Sequence, residues 1–562
     1  MRVLFLIAAC GLALAGPQRG ALKQTHVAIA MRDGVHLYAN IYLPADRARG
    51  PAILVRTPYN KGTDLPGNWQ ALVDHGYVVV VEDVRGRYES EGAFHPLTQE
   101  SADGEDTLNW IAHQTWSDGK VGMTGGSYLG IAQWKAAVIN NPHLKAILPV
   151  VSGDDDYRDR FYSTGGAMKL GNRLEWLAEN MKAPGYVPDF QKFVWHLPLR
   201  TADVAATGWT IGIYQEALDH PAYDGFWRGI STRERLAKVR VPVFAIGGWY
   251  DNFVESDLEA FAALRKTTGL NRLLIGPWPH NMSTKFPAVD YGPEAEVPVR
   301  TLAIEWFDQW LMGKDTPLVS EAPLKIFVMG ADKWRDEREW PPAEAHALEL
   351  YLDGNGHANT ATGDGALANR PPAKVKPDHY VFDPRNPVPT RGGAVCCNPK
   401  VFPWGPMDQR PVEKRPDVLV YTTRPLKRDL EVIGPVKVML WVATSARDTD
   451  FTAKLVDVFP DGAARNLTDG ILRLRYRDSL ERPEPATPGQ LYQIAVDAGV
   501  TSNVFLKGHR VRVEISSSNS PRFDRNPNTG GPMASETRLL KASQTVYHDA
   551  RHPSRVELLV VQ

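Results

Sequence analysis

"MTGGSYLG", residues 123–130, sets a small hydroxyl between glycines directly after an apolar run. Two readings compete: an ordinary strand-to-helix corner, or a turn that holds Ser127 up as a nucleophile. "VGMTG" (121–125) reads as a brief strand and "LGIAQWKAAVINN" (129–141) as a helix, so Ser127 falls on the turn between them. Further out, "AILVRTPY" (52–59), "YVVVVEDVRG" (77–86) and "LKAILPVV" (144–151) are nearly continuous apolar runs, the pattern of strands buried on both faces. "DGEDTLNWIAHQ" (103–114) carries acids early and apolar residues at helical spacing. Strands alternating with helices predict a mostly parallel sheet covered by helices.

At 562 residues the chain exceeds what one hydrophobic core serves, so about two to four domains are expected. From 152 to 238 the strand signal disappears, while "RLEWLAENMKA" and "STRERLAKV" read as helices in an aromatic-rich region. Strands return with "VPVFAIGGWYD" (241–251) and "NRLLIGPWPHN" (271–281). That order predicts a helical cap inserted into one α/β domain. After about 345 the chain alternates apolar and polar residues between Pro, Gly, Asn and Asp, as in "KVMLWVATS" and "RVRVEISSS". This texture predicts an all-β sandwich of jelly-roll type. The expected partition is a signal peptide at 1–15, a core at 21–151 and 239–344, a cap at 152–238 and the jelly roll at 345–562.

A formal net charge of -1 gives no electrostatic footprint for nucleic acid or an anionic membrane. The expected partner is a small molecule, and homo-oligomerisation stays open. "MRVLFLIAACGLALAGP" has one arginine, an apolar stretch and then small residues, with Ala13-Leu14-Ala15 in the pattern of a cleavage site. It reads as an export signal to the periplasm or beyond, ahead of a lipoprotein anchor at Cys10. No later stretch reads as a membrane helix, so stable membrane insertion is not expected. After cleavage only Cys396 and Cys397 remain. Two buried free thiols are expected there ahead of a vicinal bridge. Metal-ligand spacing and a phosphate-cradling loop are both absent from the sequence, and neither metal nor cofactor is expected.

A serine hydroxyl becomes a nucleophile only when a base takes its proton, and that base needs an orienting carboxylate. On an α/β-hydrolase fold the chain order is Ser, acid, His. Asp251 ends one predicted strand and His280 follows the next, both where open sheets place ligand chemistry. The usual pattern around the nucleophile is G-x-S-x-G, yet position 129 is Leu and the glycine is Gly130. The developing oxyanion needs donors; the backbone N–H of Tyr128 and the hydroxyl of Tyr59, in "LVRTPYNK", are the candidates.

"RTPYNK", "EDVRGRYESEGAF", "GGSYLGIAQW", "GGWYDNFV", "GPWPHN" and "TSNVFLKGHRVRVEISSSNSPRFDRNPNTGG" give the chain its resemblance to the cocaine-esterase and X-prolyl dipeptidyl-peptidase group of α/β-hydrolases. That group also holds α-amino acid ester hydrolases and glutaryl-cephalosporin acylases. The resemblance implies an α/β-hydrolase core, a helical cap and a C-terminal jelly roll. It also implies Ser127 as nucleophile, His280 as base, Asp251 as its partner, and Tyr59 with Tyr128 at the oxyanion hole.

The activity expected is that of a serine hydrolase on carboxylic esters, with amides as a second class. An X-Pro dipeptidyl aminopeptidase, an α-amino acid ester hydrolase or a β-lactam acylase is the alternative. Such substrates present an ammonium, which acids just after the aspartate would hold, but "Asp251-Asn252-Phe253-Val254" has none. Phe253 and Phe161 are instead the candidates for an apolar acyl pocket, and "GGAVCCNP" is expected at its rim. Asp154, Asp155, Asp156 and Asp159 in "GDDDYRD" read as a solvated charged face rather than a cation subsite. A carbohydrate-binding protein with an inert hydrolase domain is the rival from outside enzymology.

Overall fold

The computed structural model describes residues 22–183 and 185–561; the leader read at 1–15 and Cys10 fall outside the described residues. Strands β1 (Leu22–Ala30), β2 (His36–Leu43), β3 (Gly50–Thr57), β4 (Val78–Asp83), β5 (Ser117–Gly126), β6 (Leu144–Val150), β7 (Val243–Tyr250) and β8 (Asn271–Pro279) come first. A short hairpin, β9 (Lys285–Phe286) with β10 (Val289–Asp290), precedes β11 (Leu324–Val328) and β12 (Lys333–Glu337). Ten of these strands form one sheet in the order β1-β2-β4-β3-β5-β6-β7-β8-β11-β12. The run from β4 to β11 is parallel. Antiparallel pairs at the two ends, β1–β2–β4 and β11–β12, make the sheet mixed.

β3, β4 and β7 are buried at every residue, as a central strand with helices on both faces must be. Helices Glu100–Ala112 and Tyr128–Ala137 pack on the sheet and on each other. All residues of Tyr128–Ala137 are buried, which explains its lack of a polar stripe.

Between β6 and β7 the chain leaves the sheet for a helical layer that includes Leu170–Met181, Gly212–Asp219 and Gly225–Ile230. Its own core is aromatic: Tyr157, Phe161, Trp176, Phe193 and Trp227 belong to one cluster. The acidic run does not form a solvated face. Asp154, Asp155, Asp156 and Asp159 are each at most 3% exposed, because cations fold back onto them. Arg233 pairs with Asp154 at 3.3 Å, Arg158 with Asp155 at 2.7 Å and Arg160 with Asp156 at 2.8 Å.

From His346 onward an eleven-stranded β domain follows, with Leu430–Thr444 paired along its length to Tyr492–Phe505. It packs directly on this helical layer: Gly171 N–H donates to the Pro521 carbonyl at 3.0 Å, and Gly165 bridges Leu472. Among the described residues no helix is long and apolar enough to cross a membrane.

Candidate active site

Ser127 stands between the end of β5 and the first residue of the next helix, at φ 58° and ψ −125°. A positive φ is costly for a non-glycine residue and persists only where its surroundings hold it. Here the Ser127 N–H donates to the Val150 carbonyl at 2.9 Å, tying the turn to β6. The glycines answer to close packing. A Cβ at Gly125 would lie 2.6 Å from the Leu129 Cβ, and one at Gly130 would lie 2.5 Å from the Ser152 Cβ. The helix can approach the end of β6 only with glycine at 130, so Gly130 does the work that the usual pattern assigns one residue earlier.

Asp251 and His280 directly follow the neighbouring strands β7 and β8. The structure brings both to Ser127. His280 Nδ1 lies 2.9 Å from the Asp251 Oδ1, and Nε2 lies 3.0 Å from the Ser127 Oγ. Asp251 can only accept, so Nδ1 carries the proton and Nε2 is left to receive that of the serine. Asp251 is fully buried. Beside it, burial first and the Asp251 charge after it push the Asp257 carboxyl well above the usual carboxylate range.

Tyr59 follows β3, where its backbone N–H donates to Thr57 Oγ1 at 3.0 Å. Its hydroxyl accepts from the Trp176 indole at 3.1 Å. Desolvation at the hydroxyl raises its pKa; hydrogen bonds involving Ser127, Trp176 and the Tyr128 backbone oppose the rise. So Tyr59 stays protonated beside Ser127, with the Tyr128 amide as its neighbour, even though 37% of the residue remains open. The Tyr128 side chain points away from this chemistry: its hydroxyl donates to Glu100 at 2.8 Å and accepts from the Leu97 N–H at 3.0 Å. Only the backbone of Tyr128 is available as an oxyanion donor.

A pocket opens at Ser127, lined among others by Tyr59, Phe161, Phe253, Trp176 and Leu177. Phe253 also leans on the His280 ring at 5.7 Å. Cys396 and Cys397 reach the same pocket from the β-rich region that follows His346. They are bonded to each other, so the expectation of free thiols is overturned. The surrounding loop, with Cys397 at φ 90°, holds the adjacent sulfurs together, and adjacency in sequence alone did not dictate that. Two contributors were not foreseen. Trp176 stacks on Tyr128 at 5.8 Å while donating to Tyr59, and Arg173 lies one turn earlier on the same helix. The i, i+3 spacing of "RLEW" was the available signal.

Comparison with known proteins identifies the family. The family described as X-Pro dipeptidyl-peptidase (S15 family) matches residues 33–282, and the X-Pro dipeptidyl-peptidase C-terminal non-catalytic domain matches 319–557. Cocaine esterase of Rhodococcus sp. is 40% identical over 568 residues, covering 96% of this chain and 98% of its own. An aminopeptidase from a marine sediment Thaumarchaeota archaeon superposes with a TM-score of 0.85 at 27% identity, covering 96% of this chain and 97% of its own. An α-amino acid ester hydrolase superposes with a TM-score of 0.83 at 28% identity, covering 98% of each. The chain belongs to the X-Pro dipeptidyl-peptidase family and is a serine hydrolase with an α/β-hydrolase domain followed by a β-rich domain.

Proposed function

We propose that the protein hydrolyses carboxylic esters of small molecules through an acyl-enzyme on Ser127. The Ser127 Oγ attacks the carbonyl carbon while His280 Nε2 takes its proton. Asp251, bonded to the Nδ1–H, stabilises the imidazolium that forms. The Tyr59 hydroxyl and the Tyr128 N–H donate to the oxyanion. Collapse expels the alcohol, which leaves with the proton from His280. Water then attacks the acyl carbon with His280 as base, and the acid departs. Neither a metal nor an organic cofactor enters these steps.

The observation that carries this reading is the unbroken hydrogen-bond chain from Asp251 through His280 to Ser127, at 2.9 and 3.0 Å. Residues 152–238 act as a cap over the pocket. The second reading, a peptidase or hydrolase of amino-terminal substrates, needs an anion for the ammonium. No carboxylate is among the residues that line this pocket, which favours plain esters, as does the resemblance to cocaine esterase. Steady-state kinetics on a 4-nitrophenyl alkanoate, its α-amino analogue and an X-Pro anilide test the choice. A higher kcat/KM for the alkanoate is expected; strong preference for the amino compounds would assign the chain to the second reading. The N-terminal sequence supports export, and N-terminal sequencing of the native protein should find it starting near residue 16 rather than at Met1.

A further inference from the structure

The pocket at Ser127 contains a charge that the ester reaction does not use. Arg173 is the one charged residue among those lining it; the rest are aromatic, aliphatic, hydroxyl or the bonded cysteines. It is 8% exposed. Burying a guanidinium in such surroundings is unfavourable unless an anion accompanies it. Among the described residues, no carboxylate pairs with it. Its hydrogen bond runs from Nε to the backbone carbonyl of Arg160 at 2.8 Å, leaving the two terminal nitrogens for another partner.

The acids close in sequence are already committed. Asp154, Asp155 and Asp156 hold Arg233, Arg158 and Arg160, and Asp159 accepts from Ser256 Oγ at 2.7 Å. Arg160 is a second buried cation close by. Burial first, and Arg160 after it, pull the Arg173 pKa down to about 9. The fork is also held in place. The Arg173 guanidinium carbon lies 5.1 Å from the Phe161 ring centroid and 5.6 Å from that of Trp176. A planar, aromatic-stacked guanidinium suits two-point recognition of a carboxylate.

We infer that Arg173 anchors a carboxylate on the acyl part of the substrate, so that the preferred esters are monoesters of dicarboxylic acids. The inference rests on the ester-hydrolase reading and names its substrate class. The acyl side is favoured over the alcohol side because His280, which must hand its proton to the leaving alcohol, lies outside the pocket lining that includes Arg173. The anchored carboxylate supplies the missing anion, and the acyl chain between it and the scissile carbonyl lies along Phe161 and Phe253.

The test compares methyl hydrogen succinate, glutarate and adipate with methyl butanoate, pentanoate and hexanoate, following acid release at constant pH. In wild type, kcat/KM for the best-fitting monoester should exceed that of its neutral counterpart by about 10- to 100-fold, the size of a charged hydrogen-bonded contact. Arg173→Leu and Arg173→Gln should abolish that ratio through the monoester arm, and Arg173→Lys should restore part of it. Free glutarate should inhibit wild type competitively and Arg173→Leu far less. Neutral esters turned over with no preference for any monoester would overturn the inference while leaving the hydrolase reading standing. No turnover of either series would overturn both. The wild-type ratio decides the matter even where a variant fails to fold.

Discussion

Replacing Tyr59 by phenylalanine removes one oxygen and separates catalysis from packing. That oxygen accepts the Trp176 indole proton at 3.1 Å and lies against Ser127 and the Tyr128 amide. The indole occupies only a lone pair of that oxygen, so its own proton can turn to the oxyanion. In the proposed mechanism two donors serve the oxyanion, and Tyr59→Phe deletes one of them. Loss of one such donor lowers kcat by about 10²- to 10³-fold, or roughly 3–4 kcal/mol of transition-state stabilisation. The structural cost is smaller: Trp176 loses a hydrogen bond worth about 1 kcal/mol. The assay is steady-state hydrolysis of a 4-nitrophenyl ester, with the thermal midpoint measured in parallel. A large fall in kcat with KM and the midpoint little changed is expected. A kcat within about threefold of wild type would refute the role, since no true oxyanion donor is lost so cheaply.

Gly130→Ala would place a Cβ 2.5 Å from that of Ser152, and such overpacking should destabilise by about 1–3 kcal/mol. The displaced helix also moves Ser127, so activity should fall alongside the melting temperature; a variant unchanged in both would contradict the packing argument. Glu175 is raised to about 7, chiefly by burial, with the hydrogen bond from Asn398 opposing. A carboxyl raised above its unfolded value of 4.5 contributes stability that is fully present below pH 4.5 and lost as pH rises through about 7. Glu175→Gln, which can still accept from Asn398, should therefore flatten the fall in denaturant midpoint between pH 5 and pH 8, with about those values set by the linkage. An identical pH profile in the variant would show that Glu175 does not titrate in that window.

Much of this was legible because the chemistry-bearing residues sit at strand ends. Ser127, Asp251 and His280 each follow a strand whose apolar run identifies it, and their order along the chain suits an α/β-hydrolase. The antiparallel edges were harder to read. β1, "LKQTHVAIA", is exposed along much of its length, and its apolar run is confined to the four residues "VAIA" at its end. The burial of the acids at 154–159 was hidden for a different reason. One of their partners, Arg233, is nearly eighty positions away, and another, Lys135, belongs to the helix after Ser127. No local pattern foretells that cations will fold back over a run of acids. Arg173 and Trp176 escaped notice because their helix reads as an ordinary amphipathic segment; only the packing shows which of its faces meets Ser127. The cysteine bridge likewise depends on the loop that carries it.

The central claim is that one serine, raised on a strained turn and bonded to one imidazole, does the chemistry. Treatment of the protein with a fluorophosphonate, followed by peptide mass spectrometry, tests this most directly. A single adduct on Ser127, formed in step with loss of ester hydrolysis and absent from Ser127→Ala, is the result this account predicts. Full inactivation with the adduct on a different residue, or undiminished ester turnover by Ser127→Ala, would contradict it.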